Sequence, residues 1–239
     1  MVKEKYGRIS DSFEALSFSN SSGIAATFFY YGCNFKCGFC HNHKMLSGEG
    51  SIITENNLMY SLKKAKRNWV KSIVVCGGEP TLDSKLKDFL KLTKEMGFKN
   101  KLDTNGSNPK VLQDLIDEGL VDYIAMDIKG TLSQYEEITG YKNLENIKKS
   151  IEIVKNFDDY EFRTTTLPIY HNKEVFLEIG EMLKGSKKYV IQQFKPDLGS
   201  GCLKEEFNAM KSYSGKELEE FKELMMPYFD KVELRIGGN

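Results

Sequence analysis

The sequence predicts an α/β fold, a partial (β/α)6 TIM-type barrel of parallel strands left laterally open, on three observations. Between residues 24 and 196, short apolar runs of strand character alternate six times with segments of helical period, and such alternation calls for parallel strands joined by crossover helices. Cysteines, acids, a lysine and an arginine fall just past the ends of those apolar runs, where a barrel of this kind builds its site. With 239 residues the chain can bury one substantial core, and six units rather than eight leave the barrel incomplete.

Residues 1–23 are polar and irregular, with Phe13, Leu16 and Phe18 as scattered anchors, and read as a lead-in strand or extended arm. The mixed small and aromatic run from Ile24 to Tyr31 is the first barrel strand, ended by Gly32. Thr54 can cap a helix running to about Trp69, and Lys71 to Cys76 is a short buried strand. Leu86, Phe89, Leu90, Thr93 and Met96 keep helical spacing within Leu82 to Met96, and Lys99 to Thr104 is the third strand. Asn108 and Pro109 form a cap followed by proline at the first helical position, and Gly119 stops that helix. Tyr123 to Ile128 is the fourth strand.

Ser133 and Glu136 have the spacing of a capping box at the start of a short helix, and Asn143 to Asn156 aligns Ile147, Ile151 and Val154. Phe162 to Leu167 is the fifth strand, Asn172 to Leu183 the next helix and Lys188 to Phe194 the sixth strand. A capped helix from Ser214 to Met226 follows, and Lys231 to Ile236 alternates like an edge strand. Gly199 to Cys202 is the expected flexible loop, and the chain shows no internal repeat.

Composition excludes several function classes. Lys plus Arg and Asp plus Glu both total 34, giving zero formal net charge, so no global basic field points to nucleic acid. No apolar run approaches the roughly 20 residues of a membrane helix, and Met1 to Tyr6 has no signal-peptide core. A cytoplasmic location and no membrane partner are therefore expected. Of the five cysteines, three cluster at Cys33, Cys37 and Cys40, while Cys76 and Cys202 stand apart, which is no disulfide framework.

The stretch Cys33-Asn34-Phe35-Lys36-Cys37-Gly38-Phe39-Cys40 follows the first strand directly. Three thiolates on one short loop hold iron–sulfur or zinc. A closed zinc site wants a fourth ligand, for which His41 or His43 would serve, whereas a [4Fe–4S] cluster on three thiolates leaves one iron open. A second CxxC pair, usual in zinc ribbons, is absent.

Four further motifs follow in order: Cys76-Gly77-Gly78-Glu79-Pro80-Thr81, Lys101-Leu102-Asp103-Thr104-Asn105-Gly106, Ala125-Met126-Asp127-Ile128-Lys129 and Glu161-Phe162-Arg163-Thr164-Thr165. With the CxxxCxxC loop they resemble the motif series of radical S-adenosylmethionine (SAM) enzymes, over about Gly23 to Pro196. The third and fourth of the five narrow the resemblance to activating enzymes of glycyl radical enzymes. In phrasing they are most like anaerobic ribonucleoside-triphosphate reductase-activating proteins, with pyruvate formate-lyase activases as cousins. Ser19 to Gly23 departs from the acidic-aromatic-Pro-Gly turn of many relatives.

The resemblance implies a single radical SAM domain over 1–239, with an arm at 1–23, a barrel core at 24–196 and a C-terminal loop, helix and edge strand at 197–239. Cys33, Cys37 and Cys40 would ligate a [4Fe–4S] cluster whose open iron binds SAM, and reductive cleavage would yield methionine and a 5′-deoxyadenosyl radical. Gly77 and Gly78 let backbone approach the ligand, with Glu79 as acidic partner or shaping residue. Asp103, Thr104, Asp127 and the Ala125 carbonyl would hold a monovalent cation, since paired carboxylates need a compensating charge. Phe39, Asn105, Lys129, Arg163 and Gln193 complete the expected cofactor contacts.

Tyr30, Tyr31, Phe35 and Phe39 would shield the cluster, core packing being the alternative for the two tyrosines. Cys76 reads as a core residue, His41 as support for the cluster loop, and His43 and His171 as surface residues. The implied partner is a glycyl radical enzyme, an anaerobic ribonucleotide reductase before others, with reduced flavodoxin or ferredoxin as electron donor. Rival readings are a radical SAM enzyme acting on a small molecule, in the manner of a 7-carboxy-7-deazaguanine synthase, or on a peptide, and a non-catalytic zinc module.

Overall fold

The computed structural model describes residues 5–11, 14–17, 24–46, 50–196 and 201–237. Phe13, Phe18 and residues 199–200 of the expected loop lie outside the described residues, as does the side chain of Leu16. Among the described residues, eight strands form one sheet in sequence order. β1 (Glu14–Ser17) runs antiparallel to β2 (Ala25–Tyr30). From β2 onward every neighbour is parallel: β3 (Ser72–Gly77), β4 (Lys99–Thr104), β5 (Tyr123–Asp127), β6 (Tyr160–Thr166), β7 (Ser186–Gln193) and β8 (Phe229–Arg235). The first and last strands are the two ends of the order, so the barrel stays open.

The segment expected as an edge strand does end the sheet order, and it is the seventh parallel strand among the described residues. Helix α7 (Gly215–Met225) supplies the extra crossover, held at its start by a capping box in which Ser214 and Glu217 satisfy each other's backbone N–H groups. The other crossovers are α1 (Glu55–Arg67), α2 (Leu86–Glu95), α3 (Pro109–Asp117), the short α4 (Tyr135–Thr139) with α5 (Leu144–Lys155), and α6 (Lys173–Leu183). Thr54 Oγ1 caps α1 by accepting from Asn57 N at 3.2 Å.

Two helix starts and one capping bond differ from the sequence reading, each because a side chain serves the site or a neighbouring turn. Pro80–Leu82 forms a 3-10 turn before α2, with Glu79 accepting from Thr81 N. Helix α3 starts at Asn108 and Pro109 as expected, but the Asn108 side chain makes no capping bond; its amide donates to Thr81 O at 2.9 Å, tying α3 to that turn. The capping box expected at Ser133 and Glu136 is made instead by Thr131 and Gln134, one 3-10 turn earlier.

The helices pack on the outer face of the sheet. Phe89 of α2 meets Phe28 and Tyr30 of β2 edge-on, with ring centroids 5.3 and 6.3 Å apart, and burial of each such ring stabilises by about 1.5–3 kcal/mol. Buried Asn100 on β4 joins α2 to the turn after α3, donating to Leu90 O and Leu120 O at 2.9 Å and accepting from Thr93 Oγ1. The N-terminal arm is tied down where it is described: Ile9 is fully buried and bridges Tyr30, while Tyr30 Oη donates to Tyr6 O.

Candidate functional site

Parallel register decides which residues look inward. Thr27 pairs with Val74, Val74 with Lys101 and Lys101 with Tyr123, so these share one face. Two residues up, Asp103 pairs with Ala125 and Ala125 with Glu161; then Asp127 pairs with Arg163, Arg163 with Val190 and Val190 with Glu233. A closed barrel fills this space with branched apolar side chains. Here β4 to β8 line it with Lys101, Asp103, Tyr123, Asp127, Glu161, Arg163, Lys188, Glu233 and Arg235.

These groups neutralise one another. Glu161, fully buried, accepts from Arg235 Nη2 on both oxygens at 2.8 Å and from Tyr123 Oη at 2.9 Å, with Lys188 Nζ 3.4 Å away. Burial would push its carboxyl up, yet Arg235 and Lys101 hold it below the usual range.

At the C-terminal ends of β2 to β6 lies a cavity of about 240 Å³ whose lining includes Cys33, Cys37, Cys40, Phe39, Cys76, Gly77, Gly78, Glu79, Asp103, Thr104, Asn105, Asp127, Lys129, Arg163 and Thr165. The four later motifs and the cysteine loop therefore meet at one place, because each strand delivers its motif to the same end of the sheet. Ala125 sits one step below on the inner face. Cys76 is half-buried in this wall rather than in the core, since Val74 and Cys76 alternate inward while Ile73 and Val75 pack under helices. Thr165 and Lys101 are wall and support residues that the motif reading left unassigned.

The cysteine loop is held from three sides. Lys36 N donates to Thr139 O at 2.8 Å, and Phe35 packs on Tyr141 and Tyr135. Leu203 N and Lys204 N donate to Cys40 O and Gly38 O at 3.1 and 2.9 Å, while Phe39 sits among Tyr170, Phe194 and Phe207. Phe35 and Phe39 line the cavity; Tyr30 and Tyr31 belong to the core instead, with Tyr31 Oη bonded to Ser10 Oγ at 3.1 Å.

Burial pushes the Cys33 thiol up to about 12, the Cys37 thiol to about 11, and raises Cys40. Apolar surroundings thus keep three soft donors protonated until a metal replaces the protons. Three sulfurs on one loop fit a [4Fe–4S] cluster. His41, one of the two candidate fourth ligands of a closed zinc site, is engaged elsewhere, its Nε2 2.7 Å from Lys195 O and its ring stacked on Phe194. That engagement does not suit a closed zinc site completed by His41.

Gly77 has φ +115°, and a Cβ there would lie 2.5 Å from Tyr30 N; a Cβ on Gly78 would lie 2.6 Å from the Gly32 carbonyl carbon. Both positions require glycine for close approach of backbone. Glu79, 1% exposed, is a hub: Oε1 accepts from Thr81 N, Thr81 Oγ1 and Thr104 Oγ1, and Oε2 from Asn105 N at 2.6 Å. Burial raises its carboxyl above the usual range. It shapes the wall by joining β3 to β4.

Asp103 and Asp127 share Arg163, whose Nη1 donates to Asp103 Oδ2 at 2.9 Å and whose Nε donates to Asp127 Oδ1. Lys129 Nζ lies 3.1 Å from Asp127 Oδ2 and 5.9 Å from the Phe39 ring centre, and Lys101 Nζ lies 3.2 Å from Asp103 Oδ1. That oxygen is an ion-pair partner without a directed hydrogen bond among the described residues. Burial alone would raise the Asp127 carboxyl, but Arg163 and Lys129 hold it well below its ordinary value. Three protein cations balance the two carboxylates, and Thr104 donates to Glu79. The charge for which a monovalent cation was expected is thus already met, and this donor set does not fit one as it stands.

His171 is a correction to the sequence reading. It is fully buried: Leu167 N donates to Nδ1 at 3.0 Å, which leaves the proton on Nε2 to donate to Lys129 O at 3.1 Å. Burial lowers it to about 4. A depressed pKa means that its stabilising effect is complete above about 6.5 and lost as pH falls through about 4, a difference of about 3 kcal/mol at most. Between pH 7 and pH 4, urea unfolding of a His171→Gln variant is expected to lose less stability than the parent by up to that amount.

Gln193 is a second placement that differs. It pairs with Thr166 on the outer face, where its Nε2 donates to Tyr213 O at 2.8 Å and Gly237 N donates to its Oε1. Its neighbour Gln192, paired with Thr165 and Arg235, shares the inner face.

The fold and the cysteine-lined cavity define an enzyme site at the mouth of an open parallel barrel, and the comparisons with known proteins agree. The Radical SAM superfamily model matches residues 27–184, and the chain belongs to that superfamily, whose members use a [4Fe–4S] cluster and SAM. It is 33% identical over 218 residues, 88% of each chain, to a candidate glycyl-radical enzyme activating enzyme of Methanocaldococcus jannaschii. It is 29% identical over 122 residues, 50% of this chain and 39% of the other, to a candidate GTP 3′,8-cyclase of Pyrococcus horikoshii.

Among solved structures, Streptococcus suis SuiB bound to precursor peptide SuiA superposes with a TM-score of 0.69 at 16% identity, covering 88% of this chain and 48% of that one. A domain of pyruvate-formate lyase-activating enzyme from Bacteroides vulgatus superposes with a TM-score of 0.53 at 17% identity, covering 70% and 99%. Both likenesses bear on the fold. Among the described residues no helix is long and apolar enough to cross a membrane.

Proposed function

We propose that this radical SAM enzyme activates a glycyl radical enzyme by abstracting hydrogen from a backbone glycine of its partner, an anaerobic ribonucleotide reductase being the first candidate. The observation that carries the reading is the similarity to the Methanocaldococcus protein over 88% of both chains, joined to a site at the mouth of a laterally open barrel. When bound, the cluster supplies one electron to SAM, whose carbon–sulfur bond breaks to give methionine and the 5′-deoxyadenosyl radical.

The chain's own residues do the rest. Cys33, Cys37 and Cys40 hold the cluster beside the SAM cavity. Backbone at Gly77 and Gly78 offers a groove for the amino acid part of SAM, with Asn42 Nδ2 donating to Gly77 O at 3.2 Å to fix it. Lys129 and Arg163 place positive charge for a carboxylate, while Asp103 and Asp127 hold those cations in position. Phe35 and Phe39 exclude water from the cluster side. A reduced flavodoxin or ferredoxin fits as donor, since the chain carries no further cysteine group.

A second reading, a small polar substrate, is favoured by the charged inner face and by the cyclase similarity. Anaerobic protein reconstituted with iron and sulfide, reduced and given SAM, is expected to form 5′-deoxyadenosine, and with the co-encoded large partner a glycyl radical EPR doublet. 5′-Deoxyadenosine without that doublet on any candidate partner would reject the activase reading and leave the small-substrate one.

A further inference from the structure

We propose that Asn105 is a positioning residue whose side-chain amide hydrogen-bonds the Cys33 sulfur and thereby sets the reduction potential of the cluster held there. The amide nitrogen Nδ2 lies 3.8 Å from Cys33 Sγ and 3.0 Å from Asn34 Oδ1. Its orientation is fixed by the other end: Ser107 N donates to Asn105 Oδ1 at 2.9 Å, which requires the oxygen there and turns the NH2 group toward the sulfur. The backbone is held as well, Asn105 N donating to Glu79 Oε2. Ser107 Oγ donates to Asn34 Oδ1 at 3.2 Å, so the acceptor that shares the amide is itself anchored. Asn105 is 6% exposed, so the bond is shielded from bulk solvent.

Cys33 differs in this from its two partners. Among the described residues it is the loop cysteine whose sulfur a side chain from another strand reaches, and Phe35 N donates to the same sulfur at 3.4 Å. An N–H beside a thiolate favours negative charge on it. Adding one electron to the cluster increases the charge on its sulfurs, so a donor stabilises the reduced form more than the oxidised one and raises the potential. Through Asn105, the buried carboxylate of Glu79 also takes part, because it fixes the strand end from which the amide projects.

The test uses the full chain, reconstituted anaerobically, with a dithionite potentiometric titration of the one-electron couple followed by EPR in the absence of SAM. Asn105→Asp keeps the shape and the acceptor for Ser107 N but replaces the donor with an oxygen; Asn105→Ala removes both. The midpoint is expected to shift to more negative potential in both variants, further in the aspartate. A wild-type midpoint in variants with full iron and sulfide content would overturn the proposal. So would folded variants, by circular dichroism, that take up no iron, because Asn105 would then serve assembly instead. Failure of the parent to build a cluster would count against the radical SAM reading, on which this inference rests, and is read separately from its iron content.

Discussion

Cys37→Ala is expected to abolish 5′-deoxyadenosine formation. Cys37 is the loop sulfur set deepest, 7% exposed, with its neighbours Phe35 and Phe39 also in the core. Removing a group that merely supports a metal ligand costs about 10–100-fold in affinity or activity, so loss of a ligand is expected to exceed about 100-fold. Iron analysis and product yield should fall together. Cys76→Ala is the matching control: Cys76 lines the same cavity from β3, outside the loop, and its variant is expected to retain the parent's iron content. Equal iron in the parent and Cys37→Ala would sink the three-thiolate assignment.

Arg163→Met is expected to destabilise the protein by up to about 3–5 kcal/mol, the full cost of breaking a buried ion pair. The methionine keeps the bulk but removes the cation that Asp103 and Asp127 share, leaving each acid with one lysine, Lys101 and Lys129. Arg163→Lys should recover only part of the loss, because a single ammonium cannot reach both acids as the guanidinium fork does. The pH dependence has a definite sign. In the parent, the depressed Asp127 carboxyl stabilises the fold above its unfolded pKa, and that effect is lost as pH falls through the folded one. The deficit of Arg163→Met should therefore be largest at neutral pH and shrink on acidification, as measured by urea unfolding of the cluster-free protein. A deficit independent of pH would rule out the shared-cation account.

Much of this was legible because strand ends and motifs coincide in the chain. Lys99–Thr104 has the bounds the apolar pattern assigns, and the residues around Gly77, Asp103 and Asp127 reach one cavity because parallel strands deliver them to one end. Parity was harder to see. In the continuous apolar run Ile73-Val74-Val75-Cys76 nothing marks which residues face inward, and the adjacent pair Gln192-Gln193 offers two identical side chains for one inner position. A lone histidine gives no hint of burial either; His171 is recognisable only through carbonyls and amides that the fold brings to it. Long-range ion pairs are equally silent: Glu161 and Arg235 are 74 residues apart. The seventh parallel strand was hidden because its alternating charges look like solvent on one side, whereas they meet the acids and bases of the barrel interior.

That last strand also bears on how the molecule keeps to itself. β8 ends the sheet, and a bare parallel edge invites a strand from another chain. Four of its seven residues, Asp230, Lys231, Glu233 and Arg235, are charged, and an incoming copy in register would set like charges side by side along the new seam. The gap in the wall is thereby guarded by its own rim, so that a guest entering from the side meets an aperture and not a template for polymerisation.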